Sequence, residues 1–189
     1  MPDVHTSEQR HMNMAAIRGK DTKPEIIVRK YLHRKGYRFR LNVRHLPGSP
    51  DIVLRRLHTV ILVNGCFWHG HDVEFQRDSE IKEGSEIKNS DCCKIPKTNK
   101  RFWVSKIRRN QERDLRVRSE LTAQGWNVIQ VWECQLKAKM REATLASLLM
   151  TLSQIELGLA RKEKAVKPYI YNNVEEPRMV ADETVIVSR

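Results

Sequence analysis

Ser49-Pro50-Asp51-Ile52-Val53-Leu54-Arg55, then Arg56-Leu57-His58, then Thr59-Val60-Ile61-Leu62-Val63-Asn64-Gly65-Cys66-Phe67-Trp68-His69-Gly70-His71 is the stretch that decides the fold. Two short β-branched runs flank a polar break, the pattern of a β-hairpin. If the turn pairs Arg55 with Thr59, Asp51 falls opposite Val63. The mouth of the hairpin then gathers a carboxylate, a backbone carbonyl, Asn64, Cys66, His69 and His71. Metal-capable and proton-transferring groups at one strand end read as an active site.

The rest of the chain is consistent with a single αβ domain. Its 189 residues can bury a core without staples. No apolar run near 18 residues is apparent, and the polar start, Met1-Pro2-Asp3-Val4-His5, does not resemble a signal peptide. A soluble, intracellular protein with reduced thiols is expected. Its four cysteines then point to metal binding or reactivity before disulfides. The net charge is +12, and Lys100 to Arg118 carries eight Lys/Arg against Glu112 and Asp114. A localised basic cluster is the footprint of phosphate-backbone binding.

Reading in order, residues 1–20 form an N-terminal arm with a short helix over Ser7 to Ile17. Residues 21–162 form the main domain, and residues 163–189 a tail without a legible motif. Thr22-Lys23-Pro24-Glu25 opens a helix to Lys35, with Thr22 as N-cap and Pro24 in the first turn. Glu25 fits two readings, a capping-box glutamate or a carboxylate leaning over the sheet, because Glu25, Val28 and Leu32 share one face. Tyr37 to Leu41 alternates like a strand. Val73 to Lys97 is a long polar loop. Thr98 or Asn99 caps a helix over Lys100 to Gln124, whose apolar stripe of Trp103, Ile107, Val117 and Leu121 is interrupted by Asn110 and Asp114. Polar residues on a buried face must be satisfied or used. Trp126 to Trp132 reads as a central strand, and Glu142 to Lys162 as an amphipathic core helix.

Thiolate and imidazole are zinc's preferred ligands, and Cys66, His71, one of Cys92 and Cys93, and Cys134 make a Cys3His set. The competing reading is buried thiols packing as small apolar groups. A zinc with four protein ligands is closed and structural, so the chemistry needs a second ion. Asp51 with the Val63 carbonyl offers the hard oxygens that suit Mg²⁺. His69 is a candidate general base, which Glu25 or Asp114 could orient. Phe67, Trp68 and Trp103 are rigid apolar side chains beside a basic helix, suited to insertion between base pairs, although core packing competes as an explanation. Lys106, Arg108 and Asn110 are the DNA-contact candidates of that helix.

The chain resembles the very-short-patch repair (Vsr) endonucleases, DNA mismatch endonucleases of bacteria. The resemblance rests on Asn13-Met14-Ala15-Ala16-Ile17, Leu46-Pro47-Gly48-Ser49-Pro50-Asp51, Gly65-Cys66-Phe67-Trp68-His69, Phe102-Trp103-Val104-Ser105-Lys106-Ile107, Asn110-Gln111-Glu112-Arg113-Asp114 and Val131-Trp132-Glu133-Cys134. It implies a restriction-endonuclease-like core, a mixed sheet flanked by helices with a structural zinc site. It also implies Mg²⁺-dependent nicking of one strand 5′ to the thymine of a T·G mismatch. The implied roles are Asp51 as metal ligand, His69 as base, Glu25 and Asp114 as supporting carboxylates, and Met14 as an inserting arm residue. The implied setting is a monomer acting on double-stranded DNA with mismatch-repair proteins, in the bacterial cytoplasm at the nucleoid. The chain departs from the family pattern at Asn64, where histidine is known, and at the third zinc ligand, displaced by a loop insertion to Cys92 or Cys93. A zinc module that binds DNA without cutting it, or a zinc hydrolase, competes with this reading.

Overall fold

A computed structural model of the protein describes residues 19–73, 91–96 and 98–166, with positions 6, 8, 9, 12 and 16 of the arm; side chains are described as far as residue 161. In chain order the elements are α1 (Lys23–Arg34), β1 (Arg40–Leu41), β2 (Ile52–Leu54), β3 (Thr59–Asn64), α2 (Cys66–His69), α3 (Lys100–Ala123), β4 (Asn127–Trp132) and α4 (Ala138–Val166). The sheet order is β1-β2-β3-β4. β1 and β2 pair antiparallel, as do β2 and β3, whereas β3 and β4 run parallel. A mixed sheet flanked by helices is therefore observed.

β2 and β3 carry almost unbroken apolar runs because both sheet faces are covered. On one face Ile52, Leu54, Ile61, Val63 and Val131 pack with Val28 and Leu32 of α1 and with Leu145, Leu148 and Leu152 of α4. On the other, Val53 and Val60 pack with Leu121 of α3, Leu46, Trp126 and Val128. The period-2 alternation of each strand divides its residues between these two cores.

The hairpin register differs from the expected one by a residue. Leu54, not Arg55, pairs with Thr59, so continuing the register brings Asp51 across from Leu62. The connection takes one residue more, because Arg55–Leu57 forms a 3-10 turn and His58 closes it in the left-handed conformation (φ 46). The other differences have equally local causes. Only Arg40–Leu41 of the Tyr37–Leu41 run pairs as a strand, while Tyr37 and Phe39 pack onto the core. β4 lies at the end of the described sheet, and the inner positions fall to β2 and β3. Asn99 precedes α3 but sits at φ 55 and makes no side-chain capping bond. In the arm, positions 8, 9 and 12 are helical, and the rest of the expected Ser7–Ile17 helix lies outside the described residues.

α4 also corrects an expectation. By length and composition it could cross a membrane, since it contains an 18-residue window of mean hydropathy 1.3. Leu145, Leu148 and Leu152 are nevertheless buried in the sheet's core, whereas Met150 and Leu157 are exposed. The helix runs on to Val166, past the boundary expected at residue 162.

Truncating the docked face should therefore cost far more than truncating the outer one. Leu152→Ala is expected to lower stability by about 2–5 kcal/mol and Met150→Ala by less than about 0.5 kcal/mol, read by urea unfolding. Equal losses would show that the wrong face has been assigned to the core.

Candidate active site and metal centre

Asp51 stands at the start of β2, on the wall of a cleft of about 1180 Å³ that Glu25, Asn64, His69 and Asp114 also line. The loop that delivers it is pressed against α3. At Gly48 (φ +69) a Cβ would lie 2.5 Å from a Val117 methyl, so this approach requires glycine. Despite the shifted register, the Val63 N–H donates to Asp51 Oδ2 at 2.8 Å. Burial pushes the Asp51 carboxyl up to about 6, the Val63 bond works against that, and the Glu25 charge adds to it.

Both readings of Glu25 hold at once. Its carboxylate accepts the Thr22 backbone N–H at 3.3 Å and the Thr22 hydroxyl at 2.8 Å, completing the cap of α1. It is also buried at the cleft, ion-paired to Arg29. It does not orient an imidazole; Asp114 does. Asp114 Oδ2 and His69 Nδ1 form a short hydrogen bond. Burial would raise Asp114, but the bond and charge of His69, with Arg113, hold its carboxyl below the usual range. A carboxylate on Nδ1 favours the tautomer whose Nε2 is an acceptor.

His69 ends α2, and His71 follows across Gly70. Cys66, His71, Cys92 and Cys134 bring their ligand atoms within 4.8 Å of one another. His71 Nδ1 lies 3.1 Å from Cys92 Sγ, 3.4 Å from Cys134 Sγ and 3.8 Å from Cys66 Sγ. Zinc–sulfur bonds of about 2.3 Å give tetrahedral edges near 4 Å, so the donor set fits zinc in both chemistry and size. The His71 ring stacks on Trp132 with centroids 4.0 Å apart, and its Nε2 lies 3.6 Å from Asp72. Burial pushes the Cys66 thiol up to about 12, so a thiolate there needs a cation beside it. Cys93, the alternative to Cys92, points away. It is fully buried among Val73, Ile95, Val104 and Ile107, with its Sγ 3.8 Å from the Phe67 carbonyl.

The aromatic residues form one cluster. Phe67 meets Trp68 and Trp103 edge-on at 5.1 Å each, and Phe102 meets Trp103 at 5.2 Å. Phe67 and Trp103 are partly buried against the small core around Cys93, while Trp68 lines the cleft. Lys106 and Asn110 also line the cleft, and Arg108 does not. Met14 lies outside the described residues.

The model of the family described as DNA mismatch endonuclease Vsr matches residues 2–75. The chain is 42% identical over 141 residues to the type II nicking enzyme V.NmeAIP of Neisseria meningitidis, spanning 74% of this chain and 87% of that protein. It is 37% identical over 139 residues to the DNA mismatch endonuclease Vsr of Escherichia coli, spanning 74% of this chain and 78% of that one. The chain belongs to the Vsr family. It is a DNA mismatch endonuclease, and DNA is its partner. The reading as a module that binds DNA without cutting it is set aside.

Several residues at this Vsr-family cleft are not among the site residues expected from the sequence. Arg44, Arg113 and Arg118 turn toward it. Arg118 is held there by Gln130 Oε1 at 3.0 Å. Basic residues are so common in this chain that only folding distinguishes these from the rest. Asn110, a DNA-contact candidate, lines the cleft, and its Nδ2 donates to the Trp68 carbonyl at 2.7 Å.

An acid whose folded pKa is raised binds more protons folded than unfolded, so stability falls as pH rises from 3.8 through about 6. Asp51→Asn should therefore stabilise the protein by about 2 kcal/mol near pH 8 in Mg²⁺-free buffer, and the gain should vanish below about pH 4. Urea unfolding across pH reads this. A gain that persists at low pH would mean that the carboxylate is not the strained group.

Proposed function

We propose that the protein nicks one strand 5′ to the thymine of a T·G mismatch in a Mg²⁺-dependent reaction. One observation carries the reading: the His69–Asp114 pair and Asp51 share one cleft, with the Trp68 cluster at its edge. His69 takes the proton of the attacking water at Nε2. Asp114 holds the ring and stabilises the imidazolium that forms. The half-buried Asp51 carboxylate, crowded by the Glu25 charge, fits a cation, and it would hold Mg²⁺ with the Val63 carbonyl. A magnesium ion there would supply charge stabilisation for the pentacovalent phosphorane-like transition state.

Cys66, His71, Cys92 and Cys134 would hold a structural zinc, since four protein ligands leave no open position. Lys106 and the cleft arginines bind phosphates, and the aromatic cluster opens the weakly stacked mismatch. The family resemblance supports the remaining parts of the reading. These are a restriction-endonuclease-like core over residues 21–162, a DNA-contacting arm over residues 1–20 that includes Met14, and a monomer working with mismatch-repair proteins at the bacterial nucleoid.

Asp51→Ala and His69→Ala are each expected to slow single-turnover nicking of a T·G duplex by about 10²–10⁴-fold. Duplex affinity should hold within a few-fold. Near wild-type cutting by either variant would remove that residue from the chemistry.

The wedge is tested by affinity instead. Trp68→Ala should weaken T·G duplex binding roughly tenfold and matched duplex much less, since base stacking contributes about 1–3 kcal/mol per base. An equal loss on both duplexes would reduce Trp68 to a packing residue.

A further inference from the structure

α2 is only four residues long, Cys66 to His69, yet the base and a metal ligand both hang from it. A helix leaves its last four carbonyls without intrahelical partners. In α2 that covers the whole element, so what fills these carbonyls decides where His69 and His71 stand. The local chain satisfies part of the need: the His71 N–H donates to the Cys66 carbonyl at 3.0 Å. Just beyond α2 the Val73 N–H donates to the Gly70 carbonyl at 3.1 Å, and further partners come from elsewhere in the protein. The Cys93 thiol lies 3.8 Å from the Phe67 carbonyl. Asn110 Nδ2 donates to the Trp68 carbonyl. Gln111 Nε2 donates to the Gly70 carbonyl at 2.9 Å and to the Val73 carbonyl at 3.2 Å.

Gln111 thus uses both amide hydrogens of one nitrogen on the segment that carries His71, directly after His69. The fit leaves no slack. Gly70 is left-handed (φ +59), and a Cβ there would lie 2.8 Å from Gln111 Nε2 and 2.5 Å from an Ile107 methyl. The same face of α3 presents Asp114 to His69 Nδ1, less than one turn beyond Gln111. One helix face therefore grips the imidazole of the base and the backbone on either side of the metal-ligating histidine.

We propose that Gln111 is a positioning residue that couples the metal cluster to the catalytic histidine, making Cys66–Val73 one rigid unit. This rests on the reading of His69 as base and of the Cys3His cluster as a zinc site. Its consequence is that one side chain, outside both the cleft lining and the Cys3His set, sets both nicking rate and metal retention. Outer-sphere partners of metal ligands act at roughly 10–100-fold in affinity or activity. A change of that size is expected in both properties together.

The test compares wild type, Gln111→Leu, Gln111→Glu and Glu112→Gln as holoproteins. Glu112 is an exposed neighbour on the same helix. Two readouts are taken: the single-turnover nicking rate at saturating T·G duplex, with the apparent duplex affinity, and the rate of zinc transfer to a chromogenic chelator without DNA. Gln111→Leu removes both donors. Gln111→Glu keeps the shape but sets a carboxylate oxygen against two carbonyls. Both are expected to cut about 10–100-fold more slowly, bind duplex within about twofold of wild type, and release zinc about 10-fold faster or more. Glu112→Gln should move neither readout.

Loss of rate with wild-type zinc release, or the reverse, overturns the coupling. So does a weakening of duplex affinity that accounts for the whole loss of activity. If Gln111→Leu does not fold, the isosteric Gln111→Glu decides alone. Wild-type protein that holds no zinc, or that does not nick, refutes the proposed function itself and is recognised before any variant is made.

Discussion

The site depends on the parallel pairing of β3 with β4. That register sets Asn64 beside Trp132, so both strands end at the same level of the sheet. Cys66 and Cys134 each follow two residues later, and the Cys134 N–H donates to Cys66 Sγ at 3.4 Å across 68 residues of sequence. A shift of one residue in this ladder would turn every β4 side chain to the other face. It would also separate the thiols. The core buries Val131 on one side of β4 and packs Val128 on the other, so apolar burial enforces the register that brings Cys66 and Cys134 together.

The carboxylates of the candidate site fall to different elements with different electrostatic surroundings. Asp51 lies at the start of β2, where burial and the Glu25 charge both disfavour its ionised form. Asp114 lies on α3, where His69 and Arg113 favour ionisation. Two aspartates of the same intrinsic acidity are thereby driven apart, one toward needing a cation and the other toward staying charged beside an imidazole. Glu25 is tied by Arg29 and by the cap of α1, so it acts on Asp51 through its field from a fixed position.

The basic character of the chain has a local meaning only in the folded state. Of the long helix's cations, Lys106, Arg113 and Arg118 line the cleft, whereas Arg108 does not. An α-helix turns about 100° per residue, so neighbours in a charge run face different sides. The face toward the cleft is the one that also presents Asn110 and Asp114 to α2.

Sequence alone determined what depends on short range. The apolar runs of β2 and β3, the capped start of α1 at Thr22, the stripe of α4 and the polar breaks at Asn110 and Asp114 are all legible, because local periodicity and local hydrogen bonding produce them. The family motifs are also legible, and with them the residue types of the site. What needed the tertiary structure is whatever depends on groups far apart in the chain. The hairpin register turned on one left-handed residue, His58, whose modest preference for that conformation does not fix the turn length. The choice of Cys92 over Cys93 turned on which of two adjacent thiols the small core around Ile107 swallows. The double role of Glu25 and the grip of Gln111 on Gly70 and Val73 arise only once α1 and α3 are docked. Both follow from the same physical demand: buried carboxylates and carbonyls must find partners, and the partners lie wherever packing has brought a donor within reach.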